Sequence, residues 1–276
     1  MGKLSLFTVD TEKCKRDGIC AAECPARIIK IGKHDKIPSW VEDAESYCIN
    51  CGHCVAVCPY GALSLKNSAP EECLTMEKEL LPNSDQVRHL LLSRRSIRRY
   101  KNKPVKRDTL LELIDVARYG PTASNLQPVR WLVIEEASEV QRFAGLVIEW
   151  MDKMLKEQTE EVPPRFQQLV NDWEKGEDRI CRGAPHIIVT YAHKSFAYAR
   201  TDCAIALTYL ELSAYSMGLG TCWDGYLYTA ANAYPPIREA LGISEEHQVL
   251  GALMVGYPKY RYHRVPKRDD PLITWR

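Results

Sequence analysis

The residues with the clearest chemical meaning in this chain are its cysteines. Eleven are present, and seven of them fall within the first 58 residues. A dense group of thiols near a chain start that carries no apparent secretory signal is typical of metal binding rather than of disulfides. The other four cysteines are scattered, and we interpret them as unreactive structural thiols. These four are Cys73, Cys181, Cys203 and Cys222.

The second half of the dense group has a regular spacing. It runs Cys48-x2-Cys51-x2-Cys54-x3-Cys58-Pro59. Three thiols at three-residue intervals on one tight loop can reach three irons of a cubic cluster. Zinc is the alternative, because paired CxxC units bind it as well. The third interval and the final Cys-Pro favour iron–sulfur.

The first half repeats this spacing with one change. It runs Cys14-x5-Cys20-x3-Cys24-Pro25, and Asp17 stands where the second cysteine would be. A carboxylate can bind iron, although it is a harder and weaker ligand than a thiolate. Two interpretations of Asp17 stay open: a ligand or open iron site, and a solvated turn residue beside Gly18.

Residues 5 to 66 therefore resemble a bacterial two-cluster ferredoxin. The resemblance implies crossed ligation, in which the cysteine before each proline binds the other cluster. Cluster II is then a [4Fe-4S] cube held by Cys24, Cys48, Cys51 and Cys54. Cluster I is held by Cys14, Cys20 and Cys58, either as a [4Fe-4S] cube with Asp17 as its fourth ligand or as a [3Fe-4S] cluster.

A second group of chemically suggestive residues begins at Arg94. Four arginines surround Ser96 in Arg94-Arg95-Ser96-Ile97-Arg98-Arg99, and guanidinium groups with a hydroxyl can bind a phosphate. A solvated basic face is the alternative. Three further motifs follow in order along the chain. They are Pro121-Thr-Ala-Ser-Asn-Leu-Gln-Pro128, Gly218-Leu-Gly-Thr-Cys-Trp223 and Gly256-Tyr-Pro258.

In combination these motifs resemble the nitroreductase family over about residues 84–276. The resemblance implies an FMN-dependent fold and a homodimer with FMN at the subunit interface. It assigns the phosphate and ribityl chain to Arg94, Arg95, Ser96 and Arg98, with Lys267 or Arg268 assisting. It assigns contacts with the partner's flavin to Pro121, Thr122, Ala123, Asn125 and Gln127. It places Cys222, Trp223 and Gly225 along the isoalloxazine.

The elements that must position these residues are predicted from periodicity and turn signals. We expect an iron–sulfur domain over 1–66, a polar, proline-containing linker over 67–83 and an FMN domain over 84–276. One helix is predicted to begin from an N-cap at Ser84. A second is predicted after Asp108, with Leu110 and Leu111 on its apolar face. Two more helices are predicted over 140–155 and 202–217. Strands are predicted over 131–134, 186–191 and 249–257. Helices and strands mix without strict alternation, so the predicted fold class is α+β.

Composition limits the partners. The 37 basic residues nearly balance the 36 acidic ones, and the net charge of +1 gives no general attraction to nucleic acid or to a membrane surface. No apolar run approaches the roughly 20 residues of a membrane span. Oxygen-sensitive clusters favour a cytoplasmic location.

Together these features predict an iron–sulfur flavoprotein oxidoreductase whose chemistry is centred on the flavin rather than on a protein acid or base. Electrons would pass from an external donor, reduced ferredoxin or NAD(P)H, through two clusters to FMN and on to a small acceptor. The acceptor would be a nitro compound, a quinone, an enone or another flavin. One alternative is an electron-transfer protein with no substrate of its own, and another is a zinc-ribbon-like binding module.

Overall fold

The computed structural model describes residues 6–157 and 162–276, and these divide into two compact units. The N-terminal unit comprises the chain up to Leu81 together with Ala123–Leu126, and the C-terminal unit comprises Pro82–Thr122 and Gln127–Arg276. The segment predicted as a linker contains two single 3-10 turns, Pro70–Glu72 and Lys78–Leu80, with no buried residue in either.

The N-terminal unit is built from very short elements around the cysteine loops. Strand β1 pairs antiparallel with β4, and β2 pairs antiparallel with β3. Its core includes Phe7, Val55 and Leu63, together with the buried Cys20 and Cys54. The elements are β1 Phe7–Val9, α1 Ile19–Glu23, β2 Ile29–Ile31, β3 Pro38–Trp40, α2 Ala44–Tyr47, α3 His53–Ala56 and β4 Leu63–Leu65.

The C-terminal unit is a four-stranded antiparallel sheet between two helical layers. The strand order is β5-β6-β8-β7, and every neighbouring pair is antiparallel. The elements are α4 Ser84–Ser93, α5 Arg107–Ala117, β5 Arg130–Ile134, α6 Ala137–Lys156, α7 Arg165–Glu174, β6 His186–His193, α8 Ala199–Ser216, β7 Gly220–Trp223, α9 Gly225–Ala233, α10 Pro235–Leu241 and β8 His247–Gly256.

The central strands are buried on both faces. Ile187 and Val189 of β6 pack with α6, α7, α9 and α10, whereas Ile188 packs with α5 and α8 on the other side. Successive side chains of a strand point to opposite faces, so one apolar strand serves both cores. The arrangement confirms the α+β class and explains why β6 and β8 read as almost continuous apolar runs.

Two local expectations for the helices were wrong. The N-cap of α4 is Asn83 rather than Ser84, because the Asn83 side chain accepts the backbone N–H of Gln86 at 2.9 Å. In α5 the buried positions are Leu110, Leu113 and Ala117, while Leu111 is 57% exposed. The true apolar stripe therefore follows the i, i+3, i+7 spacing that fits one face.

No helix among the described residues is long and apolar enough to cross a membrane.

Candidate functional site

The cysteines of the N-terminal unit gather into two groups around separate cavities. One cavity is lined by Cys24, Cys48, Cys51 and Cys54. The other is lined by Cys14, Asp17, Cys20 and Cys58. Each group thus takes three positions from one cysteine run and the Cys-Pro cysteine from the other. This is the crossed grouping that the ferredoxin resemblance implies.

The two cysteine loops also repeat each other in backbone conformation. Arg16 and Asn50 occupy matching positions and have φ values of 61° and 51°. Gly18 and Gly52 match in the same way, with φ values of 77° and 73°, and they cap α1 and α3. Positive φ is costly for most residues, so its recurrence at matched positions marks one loop design used twice. The register that aligns Asp17 with Cys51 therefore holds in three dimensions.

Thiols in these groups lie close enough to affect one another. Burial is the main cause that raises the pKa of Cys54 to about 11, and the negative charges of Cys24 and Cys51 contribute to the same increase. Burial also raises the pKa of Cys20, with Cys14 and Cys58 contributing in the same direction. Four thiolates around one cavity are mutually repulsive until cations join them.

The cysteines of each group lie around a cavity, which is the arrangement that a polynuclear cluster requires. In a cubic cluster each iron takes one protein ligand, so the ligands surround a cavity instead of meeting at a point.

Asp17 lines the cavity that it shares with Cys14, Cys20 and Cys58, and it also makes a local hydrogen bond. Its Oδ1 accepts the backbone N–H of Ile19 at 3.2 Å, which is a turn-stabilising contact. Its carboxylate keeps a second oxygen, so this contact is compatible with both interpretations of the residue.

The C-terminal unit contains a cleft of about 470 Å³ beside β7, an edge strand of its sheet. We call it the arginine cleft. Four of the residues predicted to contact FMN line it, namely Arg98, Cys222, Trp223 and Gly225, together with Arg182 and Asp224. Burial raises the pKa of the Cys222 thiol, and the positive charges of Arg98 and Arg182 partly offset this increase. A cleft of this size is in the range of sites for small molecules and cofactors.

Asp224 is a buried carboxyl group in the lining of the cleft. It is 1% exposed, and its Oδ1 caps α9 by accepting the N–H of Leu227 at 3.1 Å. Its Oδ2 is buried without a nitrogen or oxygen partner among the described residues. The Cys181 thiol lies beside the carboxyl, and burial raises the pKa of Asp224 from 3.8 to about 7.

Replacement of Asp224 by asparagine is expected to change the pH dependence of stability. Because the folded pKa of about 7 lies above the ordinary 3.8, the wild type loses stability as pH rises through this window. Asparagine preserves the helix cap and cannot ionise. As pH rises from 4 to 8, the free energy of unfolding of Asp224→Asn should therefore increase relative to that of the wild type by on the order of 2–4 kcal/mol. Anaerobic urea unfolding at several pH values measures this, and parallel pH slopes for the two proteins would contradict it.

A second buried carboxylate, Glu211 of α8, organises the wall behind the cleft. It accepts hydrogen bonds from Arg94 Nη1 at 3.3 Å, Thr221 Oγ1 at 3.1 Å and Trp223 Nε1 at 3.1 Å. Glu211 is only 7% exposed. Three donors on one buried carboxylate fix the orientation of Arg94 and of the Trp223 ring. Sequence reasoning missed Glu211 because nothing in the pattern of α8 singles it out.

The other predicted flavin residues are not brought together in the single chain. Arg95 lines a different cavity, of about 510 Å³, beside the segment that follows β8. Asn125 belongs to the N-terminal unit, where its Nδ2 donates to the carbonyl oxygens of Ile49 at 3.2 Å and Asn50 at 2.9 Å. Lys267 and Arg268 are exposed and do not line the arginine cleft.

The remaining loop residues have their own environment. Thr122 Oγ1 accepts the backbone N–H of Gln127 at 3.0 Å. Ser124, Asn125 and Gln127 all have positive φ, at 49°, 54° and 49°. Pro121 is exposed, whereas Ala123 and Ser96 are half-buried. Three left-handed residues within four positions indicate a loop held in a specific shape.

Comparison with known proteins identifies both parts of the chain. Residues 91–257 match the nitroreductase family, which is more than half of the chain. The chain belongs to the nitroreductase family. Residues 12–62 match the 4Fe-4S dicluster domain. Both predicted resemblances are thereby confirmed, and with them the oxidoreductase class of this nitroreductase-family protein.

Relatives of the nitroreductase part include an iodotyrosine deiodinase from Thermotoga neapolitana, 24% identical over 65% of this chain and 92% of the relative. A putative NAD(P)H nitroreductase from Bacillus subtilis is 22% identical over 64% of this chain and 90% of its own length. Among solved structures, a nitroreductase with bound FMN from Bacteroides fragilis is 21% identical. It superposes with a TM-score of 0.57 and covers 70% of this chain and 100% of that one.

Proposed function

We propose that this protein is an iron–sulfur flavoprotein oxidoreductase. It relays electrons from an external donor, reduced ferredoxin or NAD(P)H, through two clusters to FMN and on to a small acceptor. The observation that carries the proposal is a pair of side-chain groups, one of four cysteines and one of three cysteines with Asp17, each around its own cavity. The same chain also belongs to the nitroreductase family. Clusters pass single electrons, and a flavin can collect two of them and release them together.

The arginine cleft has the features that FMN requires. Arg98 and Arg182 supply positive charge for an anionic cofactor. A Cβ atom added at Gly225 would meet no atom within 4 Å, so this lining position leaves the space of a side chain open. The nitroreductase from Bacteroides fragilis contains bound FMN, which supports FMN as the cofactor of this chain.

The roles of the chain's own residues follow from their contacts. Glu211 holds Trp223 and Arg94 in place through hydrogen bonds, and Arg98 and Arg182 attract the anionic cofactor. The remaining predicted flavin residues, including those of the 121–127 loop and Lys267 or Arg268, are proposed to act in a homodimer. Exposed apolar residues support such an assembly: α4 has no buried residue, and Val87, Leu91 and Leu92 are exposed on it.

We further propose that Asp17 makes cluster I distinct, as an iron ligand or as the neighbour of an open iron site in a [3Fe-4S] cluster. The matched backbone conformations of the two loops support this, because they place Asp17 where Cys51 stands in the other loop. Cluster II, with four thiolates, would be an ordinary [4Fe-4S] cube.

Asp17→Cys is accordingly expected to convert cluster I into a [4Fe-4S] cube with four thiolate ligands. A thiolate binds iron more tightly than a carboxylate, so the iron content should be equal to or higher than that of the wild type. Electron paramagnetic resonance of anaerobic protein, before and after dithionite reduction, measures the change. Asp35→Cys, at an exposed turn residue outside both groups, is the control. A wild type that already shows two all-thiolate cubes would contradict the special role of Asp17.

The proposed function is tested by anaerobic purification followed by iron, sulfide and flavin analysis. We expect both clusters and FMN, and we expect the reduced protein to be reoxidised within catalytic times by a nitroaromatic or a quinone. A protein whose reduced flavin is stable toward both acceptor classes would instead be an electron carrier. A colourless protein loaded with zinc would overturn the proposal.

A further inference from the structure

The arginine cleft carries more positive charge than Arg98 and Arg182, the two arginines proposed to attract FMN, account for. Arg165, Arg179 and Arg182 line it in addition to Arg98, and Asp224 is the acidic residue among its lining. Burial raises the pKa of that carboxyl to about 7, so it carries only part of a negative charge at neutral pH. The cleft is therefore a strongly cationic environment.

These arginines differ in whether they form an ion pair with an acidic side chain. Arg179 Nη1 is 2.5 Å from Asp172 Oδ2, so its charge is mostly neutralised. Arg165, in contrast, forms no ion pair within the described part of the chain, and its guanidinium carbon lies 5.1 Å from the centre of the Tyr226 ring. An arginine stacked on an aromatic face keeps its hydrogen-bonding edge available to a ligand.

The surface beside Arg165 is aromatic. The Phe166 ring meets Trp150 edge-on with centroids 5.4 Å apart and Tyr226 with centroids 6.2 Å apart. Phe166 and Trp150 are buried, so the position of this aromatic group is fixed by packing. Aromatic side chains in the cleft lining, next to a guanidinium without an ion pair among the described residues, favour a ring that carries an anionic substituent.

We propose that Arg165 and the Trp150–Phe166–Tyr226 surface form the acceptor subsite, and that the acceptor is a planar aromatic compound bearing a carboxylate or a similar anionic group. This inference rests on the proposed function and adds a substrate class to it. Arg165 lies at the start of α7, in the segment between α6 and β6.

Binding of benzoate, compared with benzyl alcohol, tests the subsite without requiring turnover. Calorimetric titration of the holoprotein should show benzoate binding that weakens at least about tenfold in Arg165→Gln, whereas the weaker binding of benzyl alcohol should change less than about twofold. Arg142→Gln is the matched control, because Arg142 forms an exposed ion pair with Glu139 outside the cleft. Equal benzoate affinity in the wild type and Arg165→Gln would overturn the inference.

Kinetics with 4-nitrobenzoate and 4-nitrobenzyl alcohol give the second measurement. The wild type should prefer the carboxylate through a lower KM, and Arg165→Gln should lose that preference with little change in kcat. Equal KM values for the two compounds in the wild type would overturn the subsite. Should neither compound be reduced while benzoate binding still depends on Arg165, the reductase activity fails and the anion subsite stands.

Discussion

Cys54→Ser is expected to remove cluster II and to stop electron delivery from the external donor. Cys54 is 8% exposed and lies in the group with Cys24, Cys48 and Cys51. Serine offers a harder oxygen ligand on a shorter side chain, and its hydroxyl does not ionise readily in a buried position. The variant should lose about half of its iron, and donor-dependent turnover should fall at least about 10–100-fold.

The measurement separates the cluster from the flavin. Iron analysis and visible spectra report the cluster, and turnover with photoreduced ferredoxin reports the complete relay. Direct dithionite reduction of the flavin should persist, because it bypasses the cluster. Cys73→Ser is the matched control, since Cys73 is exposed and lies outside both cysteine groups, and its thiol hydrogen-bonds with Ser68 and Ala69. Loss of iron with unchanged donor-dependent turnover would disprove the relay.

Glu211→Ala is expected to have the largest effect in the C-terminal unit. The substitution leaves the Arg94 guanidinium, the Trp223 indole N–H and the Thr221 hydroxyl without their shared acceptor. Because Glu211 is buried and Arg94 is partly buried, we expect the free energy of unfolding to fall by roughly 3 kcal/mol. FMN affinity should fall as well, because Arg94 and Trp223 lose their fixed orientation.

Urea unfolding and flavin titration of the apoprotein measure these two effects. Glu139→Ala removes an exposed carboxylate from its ion pair with Arg142 and should change stability by less than about 1 kcal/mol. Glu211→Gln tests the charge separately, because it keeps one acceptor oxygen but presents an N–H₂ group to the remaining donors. If Glu211→Ala were no less stable than Glu139→Ala, the buried hydrogen-bond network would not have the role we assign to it.

The helices of the C-terminal unit show which structural features hydrophobic periodicity predicts and which it does not. The strongly apolar α8 was predicted close to its observed bounds, because a long apolar segment has one efficient way to be buried. The start of α4 was misplaced by one residue, since Asn83 and Ser84 are both good caps and only the contact with Gln86 distinguishes them. In α5, Leu111 was assigned to the core because periodicity alone does not define the width of the buried face.

The sequence by itself predicted the iron–sulfur domain, since its cysteines recur at three-residue intervals within short loops, and the ferredoxin resemblance implied the crossed member of each group. It also determined both family resemblances and the α+β class. Only the tertiary structure revealed Glu211, Asp224 and Arg165, which ordinary helix and turn positions conceal in the sequence. Their properties come from burial and from partners distant along the chain. Glu211 meets Arg94 across 117 positions, and such long-range contacts leave no local pattern to read.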